Sequence, residues 1–427
     1  MTEAPASALD GAFAAAMDRL GPFEPKPALS AAVSGGADST ALALLAHDWV
    51  RQRQGRLLAL VVDHGLRPES AREAQLTIDR LGLLGIAAIL LPLTNLRRGP
   101  ALAERARIMR YQALAAACRS DGSVHLLLGH HAADQAETMM MRVLRRSLTH
   151  GLAAMPAALE TPWVRLLRPL LTIDPDALRR WLRDRGIGWT EDPSNHDLRA
   201  LRPRLRHRAA RHMSGAGMAE LTAAACAVAN QRAREEAATA AELARRATIR
   251  PEGFALLSPG RISAGALASL VRMIGGALYG PSLARIDDLA AWPRPATLAG
   301  VRILPAGRMG AGFLLVREDT AAADPVAAQP DMIWDGRFRL IANDIPAGAT
   351  IGKLAADATH FRRCSSLPSA VLRTLPALRY GKTLAAVPHL RYAVDNVWGG
   401  KTILFEPGKP LAGSCFVPTS CVMDRPA

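Results

Sequence analysis

The sequence contains little cysteine, and its cysteines do not form the patterns that bind metals. Five cysteines occur in 427 residues, with no C-x-x-C pair and no metal-ligand spacing to histidines. They are Cys118, Cys226, Cys364, Cys415 and Cys421. This usage predicts reduced thiols in a cytosolic protein and argues against a zinc or iron–sulfur site built from cysteine pairs.

Long apolar runs are also missing. Residues 264–280 come nearest to a membrane span, but Arg272 interrupts them, and a buried helix is the better interpretation. The N-terminus carries Glu3 and Asp10 before any Lys or Arg, unlike the basic start of a secretory signal. We therefore expect a cytoplasmic protein that does not enter the membrane.

Acidic residues are the minority among the charged ones. Lys and Arg number 53 against 38 Asp and Glu, which gives a formal charge of +15. Such an excess indicates a polyanion as partner or, as the alternative, an ordinary solvated basic surface. The 49% apolar content excludes wholesale disorder, and 427 residues exceed what one hydrophobic core usually serves. We therefore expect two or three domains.

Short apolar runs alternate with helical patterns in the N-terminal half. The predicted strands cover residues 28–33, 57–63, 87–93, 124–129 and 164–171. The predicted helices cover residues 40–52, 70–84, 102–119, 133–145 and 174–185. This alternation predicts an α/β fold with a doubly wound, mostly parallel sheet covered on both faces. In such sheets ligands bind outside the carboxyl ends of the strands.

The chain is predicted to have three parts. Residues 1–214 would form the α/β domain with the catalytic site, and the alanine-rich residues 215–250 a connector helix. Residues 251–427 are rich in Gly and Pro with short β-like runs, which predicts one or two small α+β domains.

A glycine-rich string follows the first predicted strand and precedes an apolar helix. It consists of Ser34, Gly35, Gly36, Ala37, Asp38 and Ser39. The glycines permit positive φ, so successive N–H groups can converge on an anion in front of a helix N-terminus. Asp38 is understandable beside phosphates if it holds a Mg²⁺ ion that bridges them. The alternative is a plain glycine-rich turn, but the full string favours phosphate binding.

This S-G-G-x-D-S string resembles the signature of the N-type PP-loop ATP pyrophosphatases, which cleave ATP to AMP and pyrophosphate while adenylating a substrate. The resemblance implies an adenine-nucleotide alpha-hydrolase-like fold, ATP bound at residues 34–39, and Mg²⁺ on Asp38. The Walker pattern G-x-x-x-x-G-K-[ST] is absent from the sequence.

Four further strings resemble those of the tRNA(Ile)-lysidine synthases within this superfamily. Residues 62–67 read V-D-H-G-L-R, 106–111 read A-R-I-M-R-Y, 129–138 read G-H-H-A-A-D-Q-A-E-T, and 192–197 read D-P-S-N-H-D. Each string is weak alone, but their order and spacing across residues 28–210 make the set specific. The resemblance assigns Asp63 and His64 to the nucleotide site and Arg107 to catalysis.

Asp134 and Glu137 stand three residues apart on one predicted helix, so their carboxylates share a face. His131 precedes this helix by about one turn and can point at the same cavity. The cluster suits an amine substrate or a second metal; the alternative is a helix start enriched in acids for its dipole. We assign Asp134 and Glu137 to holding lysine and His131 to the general base, beside Asp38 and Arg107 as catalytic residues.

A dense run of arginines follows the last string. Phosphate contact is favoured over mere solvation for this run. The residues predicted to bind tRNA are Arg199, Arg202 and Arg206.

The sequence departs from the lysidine-synthase pattern at three places. Ala133 replaces one of two adjacent acids, residues 145–148 read R-R-S-L instead of R-G-S-G, and Pro203 replaces an Asn. The first change removes a carboxylate, and the second makes a loop bulkier. None of them touches the phosphate loop.

The resemblance implies a ligase that uses ATP to adenylate C2 of the wobble cytidine of tRNA(Ile) with a CAU anticodon. L-Lysine is then attached through its ε-amine. One alternative is a PP-loop tRNA thiolase, which would need cysteine pairs or an iron–sulfur cluster. The other is a tRNA-binding protein of the same fold without catalysis, for which Ala133 is the only argument. The oligomeric state stays open, with a homodimer as one option.

Overall fold

The structure is a computed structural model that describes residues 8–65, 69–93, 99, 101–144, 153–191, 215–412 and 417–418. The chain forms two compact units, with Arg234 as the last residue before the boundary and Glu235 as the first after it. Residues 417–418 belong to the first unit. The boundary falls inside one long helix, and the three-part division expected from the sequence stays a prediction.

The first unit alternates helices and strands. Its helices are α1 (Ala8–Leu20), α2 (Ala37–Arg51), α3 (Ser70–Leu83), α4 (Leu102–Asp121), α5 (Ala132–Leu144) and α6 (Pro175–Asp184). Its strands are β1 (Ala28–Val33), β2 (Arg56–Asp63), β3 (Ala87–Pro92), β4 (His125–Leu127), β5 (Ala158–Glu160) and β6 (Arg165–Leu167). The helix α7 (Gly215–Arg246) begins in this unit and ends in the second.

The sheet of the first unit has the strand order β3-β2-β1-β4-β6-β5. All neighbouring strands run parallel except β5, which pairs antiparallel with β6. The predicted α/β class with a mostly parallel sheet is confirmed. The order reverses between β1 and β4, and the loops after these two strands therefore flank a topological switch point, where such sheets bind ligands.

Helix α2 lies across this sheet because one of its sides is almost wholly apolar and small. Its residues Ala41, Leu42 and Ala43 are fully buried, and Trp49 is 4% exposed. Packing of this kind fixes the start of α2 against the ends of β1 and β4, since interiors are close-packed and a helix cannot shift without opening voids.

Several elements differ from the sequence-based expectation. Helix α2 begins at Ala37 instead of residue 40, which places Asp38 in the first helical turn. The helix α1 and the short strand β5 were not predicted. The expected strand over residues 164–171 is shorter, because β6 ends before Arg168 and Pro169 has no N–H for a further ladder bond.

The second unit contains small antiparallel sheets and short helices. Its strands are β7 (Ala247–Arg250), β8 (Phe254–Leu257), β9 (Ala296–Leu298), β10 (Val301–Pro305), β11 (Phe313–Arg317), β12 (Val326–Ala327), β13 (Ile333–Trp334), β14 (Phe338–Ile341), β15 (Ala349–Lys353), β16 (Pro376–Tyr380), β17 (Thr383–Val387), β18 (Tyr392–Ala393) and β19 (Thr402–Phe405). Its helices are α8 (Ala264–Ile274), α9 (Leu283–Ala291), α10 (Ala358–Phe361) and α11 (Ser369–Thr374). The sheet orders are β7-β8-β11-β10-β9, β12-β15-β16-β17-β18 and β13-β14-β19.

Two sequence-based expectations concern the chain as a whole. No helix within the described ranges is both long and apolar enough to cross a bilayer. Cys118 and Cys364 are free thiols, as expected. Cys226 is disulfide-bonded, so the expectation that every cysteine is a reduced thiol is wrong for this residue.

Candidate active site

The loop after β1 is held together by the hydroxyl of Ser39. This Oγ accepts a hydrogen bond from Ser34 N at 3.1 Å, lies 3.1 Å from Ser34 Oγ, and donates to Gly36 O at 3.1 Å. Gly36 precedes α2 as its N-cap and supplies no side-chain cap. The first amides of α2 have no acceptor inside the helix, so this end of the loop is a site for an anion.

Gly35 and Gly129 allow backbone segments to approach this loop closely. Gly35 has φ +87°, and a Cβ there would lie 2.4 Å from Thr77 Oγ1. Its carbonyl accepts a hydrogen bond from Thr190 N at 2.8 Å. A Cβ on Gly129, in the loop after β4, would lie 3.3 Å from both N and Cα of Ser39. The loops after β1 and β4 are therefore in direct contact at the switch point.

His131 lies between two carboxylates at this point. Its Nε2 is 3.5 Å from Asp38 Oδ2 and 3.5 Å from Asp134 Oδ2. The side chain of His131 is 8% exposed, against 28% for Asp38 and 15% for Asp134. The structure thus brings together three of the residues assigned to catalysis from the sequence, and it keeps them partly open to solvent.

Asp134 also has a structural role. His131 directly precedes α5, and its backbone N–H donates to Asp134 Oδ2 at 3.1 Å. A carboxylate at the third helical position that accepts from the residue before the helix is half of a capping box. The same oxygen that caps α5 lies 3.5 Å from the imidazole, while the role of Asp134 in holding an amine stays a prediction.

Glu137 continues the same face of α5 one turn further. It is 3% exposed and so lies inside the unit. The neighbouring Gln135 fixes the helix, since its amide donates to Met155 O at 2.9 Å and accepts from Met155 N at 2.8 Å. This reciprocal pair sets the rotation of α5 and with it the direction of Glu137.

Asp38 has the features of a cation ligand. Its Oδ1 is buried, and no residue in the described ranges gives it a hydrogen bond. An orphaned buried carboxylate oxygen is costly unless something outside the protein satisfies it. Among the described residues there is no group of three His, Cys, Asp or Glu that could hold a metal alone. One carboxylate completed by phosphates and water is the arrangement Mg²⁺ commonly adopts, so Asp38 fits this ion.

Asp63 ends β2, and His64 follows it, on the side of β1 away from β4. Asp63 Oδ1 accepts from Gly65 N at 2.9 Å and from Ser70 Oγ at 2.6 Å, and so organises the turn into α3. Burial lowers the pKa of His64, and the charge of Arg110 lowers it further, while Asp63 opposes them. His64 Nδ1 is buried and has no hydrogen-bond partner among the described residues.

Arg107 lies with Tyr111 and Arg168. It is exposed, with its guanidinium 5.2 Å from the centroid of the Tyr111 ring. Arg168 directly follows β6 and is only 6% exposed. No contact within the described ranges joins Arg107 to Asp38 or His131.

The sequence analysis missed Thr77 and Arg168. Arg168 had a signal, because it is a charged residue inside the apolar run 164–171. Thr77 had none, since its importance lies only in its approach to Gly35. Arg199, Arg202 and Arg206 lie outside the described residues, as do the strings at 145–148 and 192–197.

A family match and individual relatives both agree with this geometry. Residues 10–213 match the PP-loop domain family, so the unit with the phosphate loop belongs to a class of ATP-utilising domains. Over 387 residues the chain is 36% identical to a tRNA(Ile)-lysidine synthase of Mesorhizobium japonicum, covering 86% of this chain and 83% of the relative. A tRNA(Ile)-lysidine synthase of Brucella suis is 35% identical over 402 residues, covering 85% and 86%. The chain belongs to the tRNA(Ile)-lysidine synthase family.

Among solved structures, a U34-tRNA thiolase from Methanococcus maripaludis with its [4Fe-4S] cluster matches 51% of this chain and 77% of that protein. Its TM-score is 0.43 and its sequence identity 16%. A likeness of this size does not bear on activity, and the thiolase alternative gains nothing from it.

Proposed function

We propose that this protein is the ligase that attaches L-lysine to C2 of the wobble cytidine in tRNA(Ile) with a CAU anticodon, using ATP. The observation that supports the proposal is the position of His131, whose Nε2 is 3.5 Å from Asp38 Oδ2 in the phosphate loop and 3.5 Å from Asp134 Oδ2 at the start of α5. In the proposal, the site that activates the nucleotide and the site that binds the amine would therefore adjoin each other at the switch point of the sheet.

The loop at residues 34–39 would bind the phosphates of ATP. Backbone amides at the uncapped start of α2 stabilise negative charge without side-chain reorganisation. Asp38 would hold Mg²⁺, which when bound neutralises charge on the phosphates. Ser39 is committed to the loop itself, so its substitution would act on the loop shape as well as on any phosphate contact.

The reaction needs two bond exchanges. The C2 oxygen of cytidine attacks the α-phosphorus of ATP, and the bond to pyrophosphate breaks. The ε-nitrogen of lysine then bonds to C2, and the bond from C2 to the activated oxygen breaks and releases AMP. Oxygen at C2 is a poor leaving group before adenylation, which explains the need for ATP.

The lysine amine must lose a proton to act as a nucleophile. With a reference pKa of about 10.4, the free amine costs about 4–5 kcal/mol at pH 7. Asp134 and Glu137 would hold the ammonium group, since carboxylates favour its charged form. His131 would then accept the proton, because its Nε2 lies beside Asp134 in a partly buried position.

The RNA would be bound mainly through its phosphates. Arg199, Arg202 and Arg206 and the second unit would contact the backbone, consistent with the formal charge of +15. The cytidine must leave its stack to reach the site, as in other enzymes that act on a base. We place the enzyme in the cytoplasm, and a homodimer is one assembly to test.

The test is a tRNA-dependent assay with radiolabelled lysine. We expect label in tRNA(Ile) transcripts with a CAU anticodon, together with one pyrophosphate and one AMP for each lysine. Sulfur incorporation without lysine would support a thiolase instead. Specific tRNA binding without pyrophosphate release would support the non-catalytic alternative.

A further inference from the structure

Arg168 stands at the carboxyl end of β6, beside the loop that carries His131. Leu128 N donates to Leu167 O at 2.9 Å. Arg168, the first residue after β6, therefore lies beside the end of β4. Ala132 N donates to Ile173 O at 3.1 Å, which keeps the segment after Arg168 alongside the start of α5. Arg168 is therefore at the edge of the sheet where ligands bind.

Arg168 is buried, and no acidic side chain within the described ranges pairs with it. It is 6% exposed, its Nη1 donates to Pro156 O at 2.9 Å, and its Nε is buried with no hydrogen-bond partner among the described residues. Burial lowers the pKa of the Arg168 guanidinium, and Arg107 acts in the same direction, while Tyr111 opposes them. An unpaired buried cation is costly unless an anion completes it.

Arg165, the first residue of β6, is an example of an arginine with a structural role in this fold. It donates to the carbonyls of Gly21 and Pro22 at 3.2 and 3.4 Å and lies 3.9 Å from Glu160. Its guanidinium thus has two carbonyls and a carboxylate. Arg168 donates to one carbonyl, neighbours the Tyr111 hydroxyl and has a second arginine nearby, and its Nε–H has no partner among the described residues, which is the pattern of a ligand site.

We propose that Arg168, together with Arg107, binds an oxyanion of a small-molecule substrate beside the active site. The two guanidinium groups both neighbour Tyr111, and such a pair suits a carboxylate or a phosphate, since each presents several N–H donors in a fixed plane. The two sources of such an oxyanion are the α-carboxylate of the amino-acid substrate and a phosphate of ATP. The inference rests on the proposed function, which supplies both substrates.

The experiment compares Arg168→Gln and Arg107→Gln with the matched control Arg165→Gln. For each protein the KM for lysine, the KM for ATP and the inhibition constant of cadaverine against lysine are measured. Cadaverine is lysine without its carboxylate. If the carboxylate is bound, the KM for lysine rises roughly 10- to 100-fold and the preference for lysine over cadaverine collapses. If a phosphate is bound, the KM for ATP rises by a similar factor instead. Arg165→Gln leaves these constants unchanged.

If the Arg168→Gln protein is folded and its KM values for lysine and ATP are unchanged, the proposal is overturned. A change that affects only the KM for tRNA would also overturn it. Arg107 is exposed, so Arg107→Gln retains its fold even if Arg168→Gln does not. Should the Arg168 variant unfold, unchanged constants in Arg107→Gln would overturn the proposal on their own. Lysine transfer by the wild-type enzyme tests the proposed function separately, since it does not depend on these variants.

Discussion

Gly35 is subject to the strictest steric requirement in the phosphate loop. Its φ of +87° disfavours any side chain, and a Cβ would lie 2.4 Å from Thr77 Oγ1. Thr77 cannot simply turn away, because it is 3% exposed and its hydroxyl donates to Glu73 O at 2.9 Å. One glycine thus couples the loop to helix α3.

Gly35→Ala is expected to lower stability by about 1–3 kcal/mol from backbone strain alone, with a further loss from the clash. The matched control is Gly85→Ala, which has a similar φ of +73° but open space around its Cβ. Thermal unfolding of both variants measures the difference. The loss should shrink in a Thr77→Ala background, and equal losses in Gly35→Ala and Gly85→Ala would contradict the steric argument.

Asp38 is the residue on which nucleotide activation depends in the proposal. Asp38→Ala and Asp38→Asn are each expected to reduce lysine-dependent pyrophosphate release by about 100-fold or more, because a bound cation contributes several kcal/mol. Binding of tRNA should stay within about twofold, since His131 is the one basic partner of Asp38 in the part of the chain that the structure describes. Asp176→Ala, an exposed acid on α6, serves as the control. Full activity in Asp38→Ala would show that Asp38 is not a ligand of Mg²⁺.

At the start of helix α5, one acid has a structural role and also a role in the proposed chemistry. Asp134 caps the helix through His131 N–H and also lies beside the His131 ring. Helix α6 offers a comparison, because Asp174 caps it through Asp176 N at 3.1 Å. Within the described residues, Asp174 forms no ion pair with the residues of the candidate site. A comparison of substitutions at the two caps therefore separates a structural effect from a catalytic one.

Asp134→Ala and Asp174→Ala should each lower stability by about 0.5–2 kcal/mol, as expected for a lost helix cap. Only Asp134→Ala should raise the KM for lysine, by about tenfold or more, since it also removes a charged hydrogen-bond partner. Unfolding curves and steady-state kinetics on the same preparations test this. A similar rise in KM for Asp174→Ala would mean that the effect comes from stability.

At the scale of the whole molecule, the basic excess predicts electrostatic binding of RNA. Raising KCl from 50 to 200 mM should weaken tRNA binding by a factor on the order of 10³ or more. Replacing Arg199, Arg202 and Arg206 with Gln should reduce the slope of log affinity against log salt by up to about three. Arg53→Gln is the control, because its guanidinium lies 4.0 Å from the Trp49 ring at the far end of α2. A salt-independent affinity would refute the electrostatic account.

The sequence located the phosphate loop and the acids of α5 because both are local features. A loop of consecutive residues presents its own amides, and an acid pair three apart shares one helical face whatever surrounds it. The start of α2 was misplaced because Ala37, Asp38 and Ser39 were read as loop, although such residues are also common in a first helical turn.

The sequence by itself determined the α/β class, the anion-binding loop and the family. Tertiary structure alone decided that Asp38 meets His131, that Gly35 faces Thr77, and that the Nε of Arg168 is buried with no hydrogen-bond partner among the described residues. These contacts depend on the strand order β3-β2-β1-β4-β6-β5, which places loops from distant parts of the chain side by side. Strand order follows from long-range pairing and packing, and no short string of residues encodes it.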